Sequence, residues 1–264
     1  MGDEPGPTAT GMPVGDLPVH GAVSANLATP EVALAIGAHP DDVEFGCGAT
    51  LAKWAAAGCA IHHLVLTDGS KGTWDADADD AGLIATRRAE QLAAAQALGG
   101  GEVTFLGYTD GELESGTEER REVCRVIRQV RPDIVLGHDP WRRYRLHPDH
   151  RHAGWLATDG IVAARDPKFF TDLHLAPHRP IALLLWEADE PNHVEDARPG
   201  AAAKLGALLA HASQYRSTMG LDPDGEFDGY GIAEFRDHLW HQLAAHGALA
   251  GFEQGEAFHL LDEL

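Results

Sequence analysis

Short apolar runs alternate with longer stretches of helical period from Glu31 onward. VALAIG (32–37), AIHHLVLT (60–67), EVTFLG (102–107), DIVLG (133–137) and IALLLWE (181–187) have the length and β-branched content of buried strands. Between them the 3.6-residue period predicts helices over 46–57, 83–98, 117–130 and 148–164, and a further helix over 200–213 follows the last strand. Gly58, Gly99 and Pro132 stand where helices should stop. Strand and helix alternate throughout, which predicts an α/β fold: a Rossmann-like three-layer sandwich with a mostly parallel sheet and helices on both faces. The expected organisation is one domain over 30–264 behind a flexible leader, 1–29. That leader is rich in Gly, Pro and small residues, and it lacks the cationic start and apolar stretch of a signal peptide.

In such folds ligands bind outside the carboxyl ends of the strands, so the residues that follow each strand matter most. AHPDD follows the first, DGSKGTWD the second, YTDGEL the third and HDPWRRYRLHPDH the fourth. Ionisable groups therefore gather on one predicted edge. In His39-Pro40-Asp41-Asp42 the proline restrains the turn, so that His39 and Asp42 can bracket one point while Asp41 faces elsewhere. His147-Pro148-Asp149-His150 repeats the logic, with Pro148 suited to the first position of a helix. Two such tetrads can supply two imidazoles and a carboxylate, a set that holds zinc and leaves a fourth position for water. Each tetrad alone reads more readily as a capped turn than as a catalytic one; it is their joint placement that points to chemistry. A dinucleotide site is a poor fit, because GAHPDDVEFG lacks G-x-G-x-x-G and two carboxylates would repel a pyrophosphate.

Composition narrows the partners. The chain has 264 residues with 44% hydrophobic content, enough for one sizeable core, and 20 Lys+Arg against 41 Asp+Glu give a net charge of −21. That field repels phosphate backbones and anionic lipid, so neither nucleic acid nor a membrane surface is an expected partner. Cys47, Cys59 and Cys124 are scattered and odd in number, which suits a reducing cytoplasm. No window reaches the roughly 18 apolar residues of a membrane span.

GAHPDDVEFGCGATLAKWAAAG strongly resembles the opening motif of the PIG-L/LmbE-like zinc-dependent N-acetylglucosaminyl deacetylases, and LHPDHRHAG resembles their second motif. TDGSKG (67–72), RRAEQLAAAQALG (87–99), LGYTDGEL (106–113), KLGALLAHASQY (204–215) and GEAF (255–258) extend the likeness over most of the chain. The resemblance implies an LmbE-like fold and a Zn2+ cofactor held by His39, Asp42 and His150. It implies Asp41 as general base, and His147 as the group that stabilises or protonates the reacting centre. Arg87 and Asp110 fall where the family grips sugar hydroxyls or a polar aglycone. The implied activity is hydrolysis of an N-acetyl or N-acyl group from an N-acetylglucosamine-type sugar or conjugate, a small-molecule substrate, with room for a homo-oligomer. Two other readings use the same ligand types: an amidase cleaving a thiol or antibiotic conjugate, and a non-haem iron oxygenase, whose usual jelly roll does not match this alternation of elements. A module with a merely structural metal would need four protein ligands.

Other residues are read more plainly. Arg87 and Glu90, at i,i+3, can simply pair. Asp110 before Gly111 can shape a turn. Arg142, Arg143 and Arg145 suit either a cationic lip or a solvated loop. Asp75, Asp77 and Asp79 imitate a calcium loop but lack its Gly and Glu, and read as a hydrated lid or loop. His62 and His63 point to opposite faces of a strand, so packing suits them better than one metal shell. His138 fits either a role behind the metal ligands or a cap, His211 an anchor for the last helix, and segment 187–198 has no assigned role.

Overall fold

The computed structural model describes residues 22–222, 224–225 and 229–264. Its strands are β1 (Ser24–Ala25), β2 (Val32–Gly37), β3 (Ala60–Thr67), β4 (Glu102–Tyr108), β5 (Ile134–His138), β6 (Ala182–Trp186), β7 (His193–Asp196) and β8 (Gly255–Leu261). The helices are α1 (Asp42–Ala56), α2 (Asp80–Ala97), α3 (Thr117–Val130), α4 (Pro148–Arg165), α5 (Ala201–Leu209) and α6 (Ile232–Ala248). The five apolar runs become five parallel neighbours, β6-β5-β2-β3-β4, within one sheet ordered β1-β7-β8-β6-β5-β2-β3-β4. Only β8 runs against its neighbours.

Alternation along the strands builds the layers. Leu34 and Ile36 of β2 face α3 and α4, packing with Val123, Ile127, Leu156 and Ile161. Ala33 and Ala35 point the other way, toward Val43, Leu51 and Trp54 of α1, Ala94 of α2 and Leu98 just past its end. Small alanines on that face let α1 lie close to the sheet.

Several elements depart from the apolar pattern. Helix α1 begins at Asp42 rather than 46, because its first turn carries the buried polar residues Asp42 and Glu44. The unassigned segment 187–198 contains β7, whose buried His193 and Glu195 are polar yet paired. His193 Nε2 lies 2.9 Å from Glu195 Oε1, which also accepts from Leu27 N, and Lys53 pairs with Oε2. Part of the expected leader, 22–29, is described, and its Ser24–Ala25 pairs with β7; residues 1–21 lie outside the described residues. Helix α6 buries only the narrow ridge Phe235, Leu239, Leu243 and Gly247. The predicted helix 200–213 is realised as α5, followed by a 3-10 turn. Among the described residues no helix is long and apolar enough to cross a membrane.

Candidate active site

Strand order reverses between β2 and β5: β3 and β4 extend the sheet beyond β2, β6 beyond β5. A crevice opens at such a switch point, and both tetrads stand there, one after β2 and the other at the start of α4. Asp41 caps α1 with φ 103° and ψ −26°, a left-handed conformation that costs a non-glycine residue on the order of 1–3 kcal/mol. Pro148 opens α4 in the position where a missing N–H is harmless.

Donor atoms of three residues meet in the crevice. His39 Nδ1 lies 3.2 Å from His150 Nε2 and 3.3 Å from Asp42 Oδ2, and His150 Nε2 lies 3.2 Å from Asp42 Oδ1. Donors bonded tetrahedrally to zinc at roughly 2.0–2.1 Å stand about 3.3 Å apart, so the spacing fits a single ion. The chemistry fits as well. His39 Nε2 faces two carboxylates, Asp110 Oδ1 and Asp149 Oδ2, each at 3.1 Å, which places the imidazole proton there. Its Nδ1 then faces the Asp42 carboxylate, a contact satisfied by a second ring proton or by a metal cation between the two atoms. Burial opposes a charge on His39, yet Asp110, Asp149 and Asp42 outweigh it and raise its pKa well above the usual value, so the pocket favours positive charge. Burial, with His138 and Arg145 nearby, lowers His150 to about 4 against the pull of Asp42, keeping it neutral as a ligand must be.

A second layer fixes these side chains. Asp149 Oδ2 also accepts from Gly111 N at 2.7 Å, and Asp42 Oδ2 from His39 N at 2.7 Å. His138, buried at the end of β5, holds Nε2 3.2 Å from Asp42 Oδ2. Its Nδ1 accepts the indole N–H of Trp186 at 3.0 Å; an indole only donates, so His138 carries its proton on Nε2, facing Asp42. Trp186 reaches this place because Gly46 lacks a side chain: a Cβ there would come within 2.4 Å of the indole ring. Arg145 contacts His150 Nδ1 and pairs with Glu187, while Arg142 lies 3.4 Å from Glu187 and Arg143 3.0 Å from Asp189. The three arginines thus pair with carboxylates rather than forming a free cationic lip, on a loop that is exposed at Arg143, Tyr144 and Leu146.

Asp41 is held separately. Arg87, 3% exposed, donates Nη2 to Pro40 O at 2.6 Å and to Asp41 Oδ2 at 3.3 Å, and Nη1 to Gly69 O at 2.8 Å. Gln91 Oε1 accepts from Asp41 N at 3.0 Å, its Nε2 donates to Glu44 Oε1 at 2.7 Å, and Glu44 Oε2 lies 3.4 Å from His211 Nε2. Gln91, Glu44 and His211 are wholly buried. Burial pushes the Asp41 carboxyl up to about 6 against the opposing Arg87 charge.

The expected site residues therefore converge, with different partners in part. Arg87 and Glu90 do not pair with each other: Arg87 serves Asp41, and Glu90 accepts from Ser213 N and Oγ. Asp110 turns one oxygen to His39 and the other to Lys71 N, so neither Arg87 nor Asp110 stands as an exposed sugar contact. His147 is exposed, its ring 4.7 Å from those of His39 and His150; partial burial and His39 lower its pKa, which favours the neutral ring. His211 anchors the Asp41 network rather than α5 alone. Gln91, Glu44, Asp149, Trp186 and Glu187 went unrecognised in the sequence. The signals for them were an acidic residue, Glu44, inside an otherwise apolar helical face, and the place of Asp149 inside the second tetrad.

The family model described as PIG-L, GlcNAc-PI de-N-acetylase, matches residues 34–161. The chain is 39% identical over 185 residues to the diacetylchitobiose deacetylase of Thermococcus kodakarensis, covering 69% of each protein. It is 30% identical over 253 residues, 80% of each, to the 1D-myo-inositol 2-acetamido-2-deoxy-alpha-D-glucopyranoside deacetylase of a Nocardioides species. The crystal structure of the N,N'-diacetylchitobiose deacetylase from Pyrococcus horikoshii, complexed with its inhibitor MPG, superposes with a TM-score of 0.78 at 31% identity, over 88% of this chain and 84% of that one. With sequence and fold agreeing over this span, the chain belongs to the PIG-L family of de-N-acetylases.

Proposed function

We propose that the protein is a zinc-dependent hydrolase that removes the N-acetyl group from an N-acetylglucosamine-type amino sugar or its conjugate. The observation that carries this reading is the meeting of His39, Asp42 and His150 within 3.3 Å of one another beside a separately held carboxylate, Asp41. The relatives, deacetylases of such sugars, support the substrate class.

An amide resists water because its carbonyl is a weak electrophile and its nitrogen a poor leaving group. Zinc held by His39, Asp42 and His150 would supply Lewis acidity toward water and the carbonyl oxygen. Asp41, raised by burial yet still ionised near neutral pH, accepts the proton of the attacking water. Arg87 keeps that carboxylate aimed, and Gln91 keeps its backbone in place. His147, neutral and exposed at the rim, donates an N–H to the carbonyl oxygen as negative charge develops there, a contact of the kind worth a few kcal/mol. The leaving amine takes from Asp41 the proton which that carboxylate accepted from water, or takes one from His147 once that ring has itself been protonated. Arg87 and Asp110 hold Asp41 and His39 in register from behind the crevice.

Acetate release from N-acetylglucosamine-type sugars tests the reading. Turnover should disappear on chelation and in Asp41→Asn, the latter with zinc still bound. Release of a larger acid from a thiol or antibiotic conjugate, with none of acetate, would move the assignment to an amidase.

A further inference from the structure

Two late stretches, 204–215 and 255–258, each place one charge deep in the protein: Lys204 of α5 at 3% exposure and Glu256 of β8 at 2%. The two meet, with Lys204 Nζ 2.6 Å from Glu256 Oε1. Taking two charges out of water is unfavourable unless further hydrogen bonds complete the pair. Here the backbone of α1 supplies them. Glu256 Oε1 accepts from Ala49 N at 3.1 Å and Oε2 from Thr50 N at 2.7 Å, while Lys204 Nζ donates to Phe45 O at 2.6 Å. In an unbroken helix Ala49 N would donate to Phe45 O, four residues back. The ion pair stands in that rung of the ladder, its carboxylate on the amide and its ammonium on the carbonyl.

The rung is the one at which α1 breaks. Cys47, with φ −147° and ψ 17°, departs from helical values and divides a first segment, 42–46, from the body of the helix. So short a segment cannot hold a helical direction of its own, because fixing the first turn is unfavourable. Yet it carries Asp42, which faces His39 and His150, Glu44, which holds Gln91, and Gly46, over which Trp186 packs. Phe45 ties the segment to Asp41 as well, donating its N–H to Asp41 O at 3.1 Å while its carbonyl takes Lys204. Glycines leave room for the pair: a Cβ on Gly48 would stand 3.3 Å from Lys204 Cγ, and one on Gly200 within 2.0 Å of Ala49 O. Among the described residues neither Lys204 nor Glu256 is bonded to His39, Asp42 or His150. Building on the function proposed above, we infer that Lys204 and Glu256 are positioning residues of the metal centre: in place of one rung of α1 they fix the break at Cys47, and the break aims Asp42.

Competitive titration of zinc against a chromophoric chelator tests this in Glu256→Gln, Lys204→Met and a control, Glu195→Gln. Glu195 is likewise buried and pairs with Lys53 in the body of the same helix, beyond the break, so its loss lowers stability without reaching the first segment. In E256Q an amide N–H replaces one acceptor, and one helix N–H is left to close the rung on Phe45 O. Changes behind metal ligands commonly weaken binding 10- to 100-fold, so E256Q and K204M should each hold zinc on the order of 10-fold more weakly. E195Q should stay within about 2-fold of wild type, each protein being measured well below its own thermal midpoint. Affinity unchanged in either variant, or lowered as much by E195Q, would overturn the inference. Where a single change prevents folding, K204M/E256Q, which leaves no buried charge unpaired, is judged by the same comparison. If the wild type binds zinc but releases no acetate from N-acetylated sugars, the proposed function falls and the zinc comparison still decides the positioning. If it binds no zinc, crystal structures decide it: α1 of K204M/E256Q should straighten at Cys47 and carry Asp42 away from His150, and an Asp42 in its wild-type place would overturn the role.

Discussion

Replacing Gln91 by leucine removes the one side-chain acceptor of the Asp41 amide, at nearly constant volume. Asp41 occupies a left-handed conformation, so its backbone stays in place only while its contacts outweigh a strain on the order of 1–3 kcal/mol. Two such contacts flank it, Gln91 on the amide and Arg87 on the carboxylate and Pro40 O. Leucine leaves the buried amide without its partner, a loss of about 1–3 kcal/mol, and it also strips Glu44 Oε1 of a donor. The strained turn then relaxes. Because a displacement of about 1 Å at a reacting group costs on the order of 100-fold, kcat should fall 10- to 100-fold. KM and zinc affinity should hold within about 3-fold, since none of the three donors touches Gln91. Glu44 accepts only, so it forces the Gln91 amide to present Nε2 inward and Oε1 to Asp41. The double exchange E44Q/Q91E keeps an acceptor for the amide and a donor between the pair, and it should regain most of the lost kcat. Steady-state kinetics with a competitive zinc titration decides the matter. A Q91L enzyme with unchanged kcat, or one that loses zinc as readily as rate, would refute the role assigned to Gln91.

Trp186→Phe keeps the packing over Gly46 but deletes the indole N–H that fixes the His138 tautomer; zinc should bind about 10-fold more weakly, measured against a chromophoric chelator, and unaltered affinity would remove His138 from the account. His246 is part-buried, and burial followed by the nearby Lys204 ammonium pushes its pKa down to about 4 from an unfolded value near 6.5. Below pH 6.5 the unfolded chain binds the extra proton, so this group's contribution is full above 6.5 and declines as pH falls toward 4, by about 1–3 kcal/mol. Urea midpoints at pH 7.5 and 4.5 should therefore differ less in His246→Gln than in the wild type.

Strands β2, β5 and β6 were legible because their burial on both faces leaves nearly continuous apolar runs, and β3 and β4 because shorter apolar runs of strand length stand between helical stretches. The tetrads were legible because proline and ionisable residues at strand ends conflict with ordinary turn chemistry. Strand β7 was hidden: it buries His193 and Glu195, and its stability rests on pairing with Lys53 and Leu27, more than 140 residues away in sequence. The same limit concealed Gln91, a polar residue on a helix whose meaning depends on a single amide 50 residues earlier. Arg87 was visible as a motif position, but its turn inward toward Pro40 and Gly69 is a tertiary fact. Trp186 reads as strand core, and only its distance to His138 makes it part of the site.

Anomalous diffraction at the zinc edge from crystals grown with the metal bears most directly on the central claim. One peak should lie within bonding distance of His39 Nδ1, the Asp42 carboxylate and His150 Nε2, with Asp41 outside that distance. A peak on the neighbouring set His39, Asp110 and Asp149, whose donor atoms also cluster, or none near the crevice, would contradict the assignment.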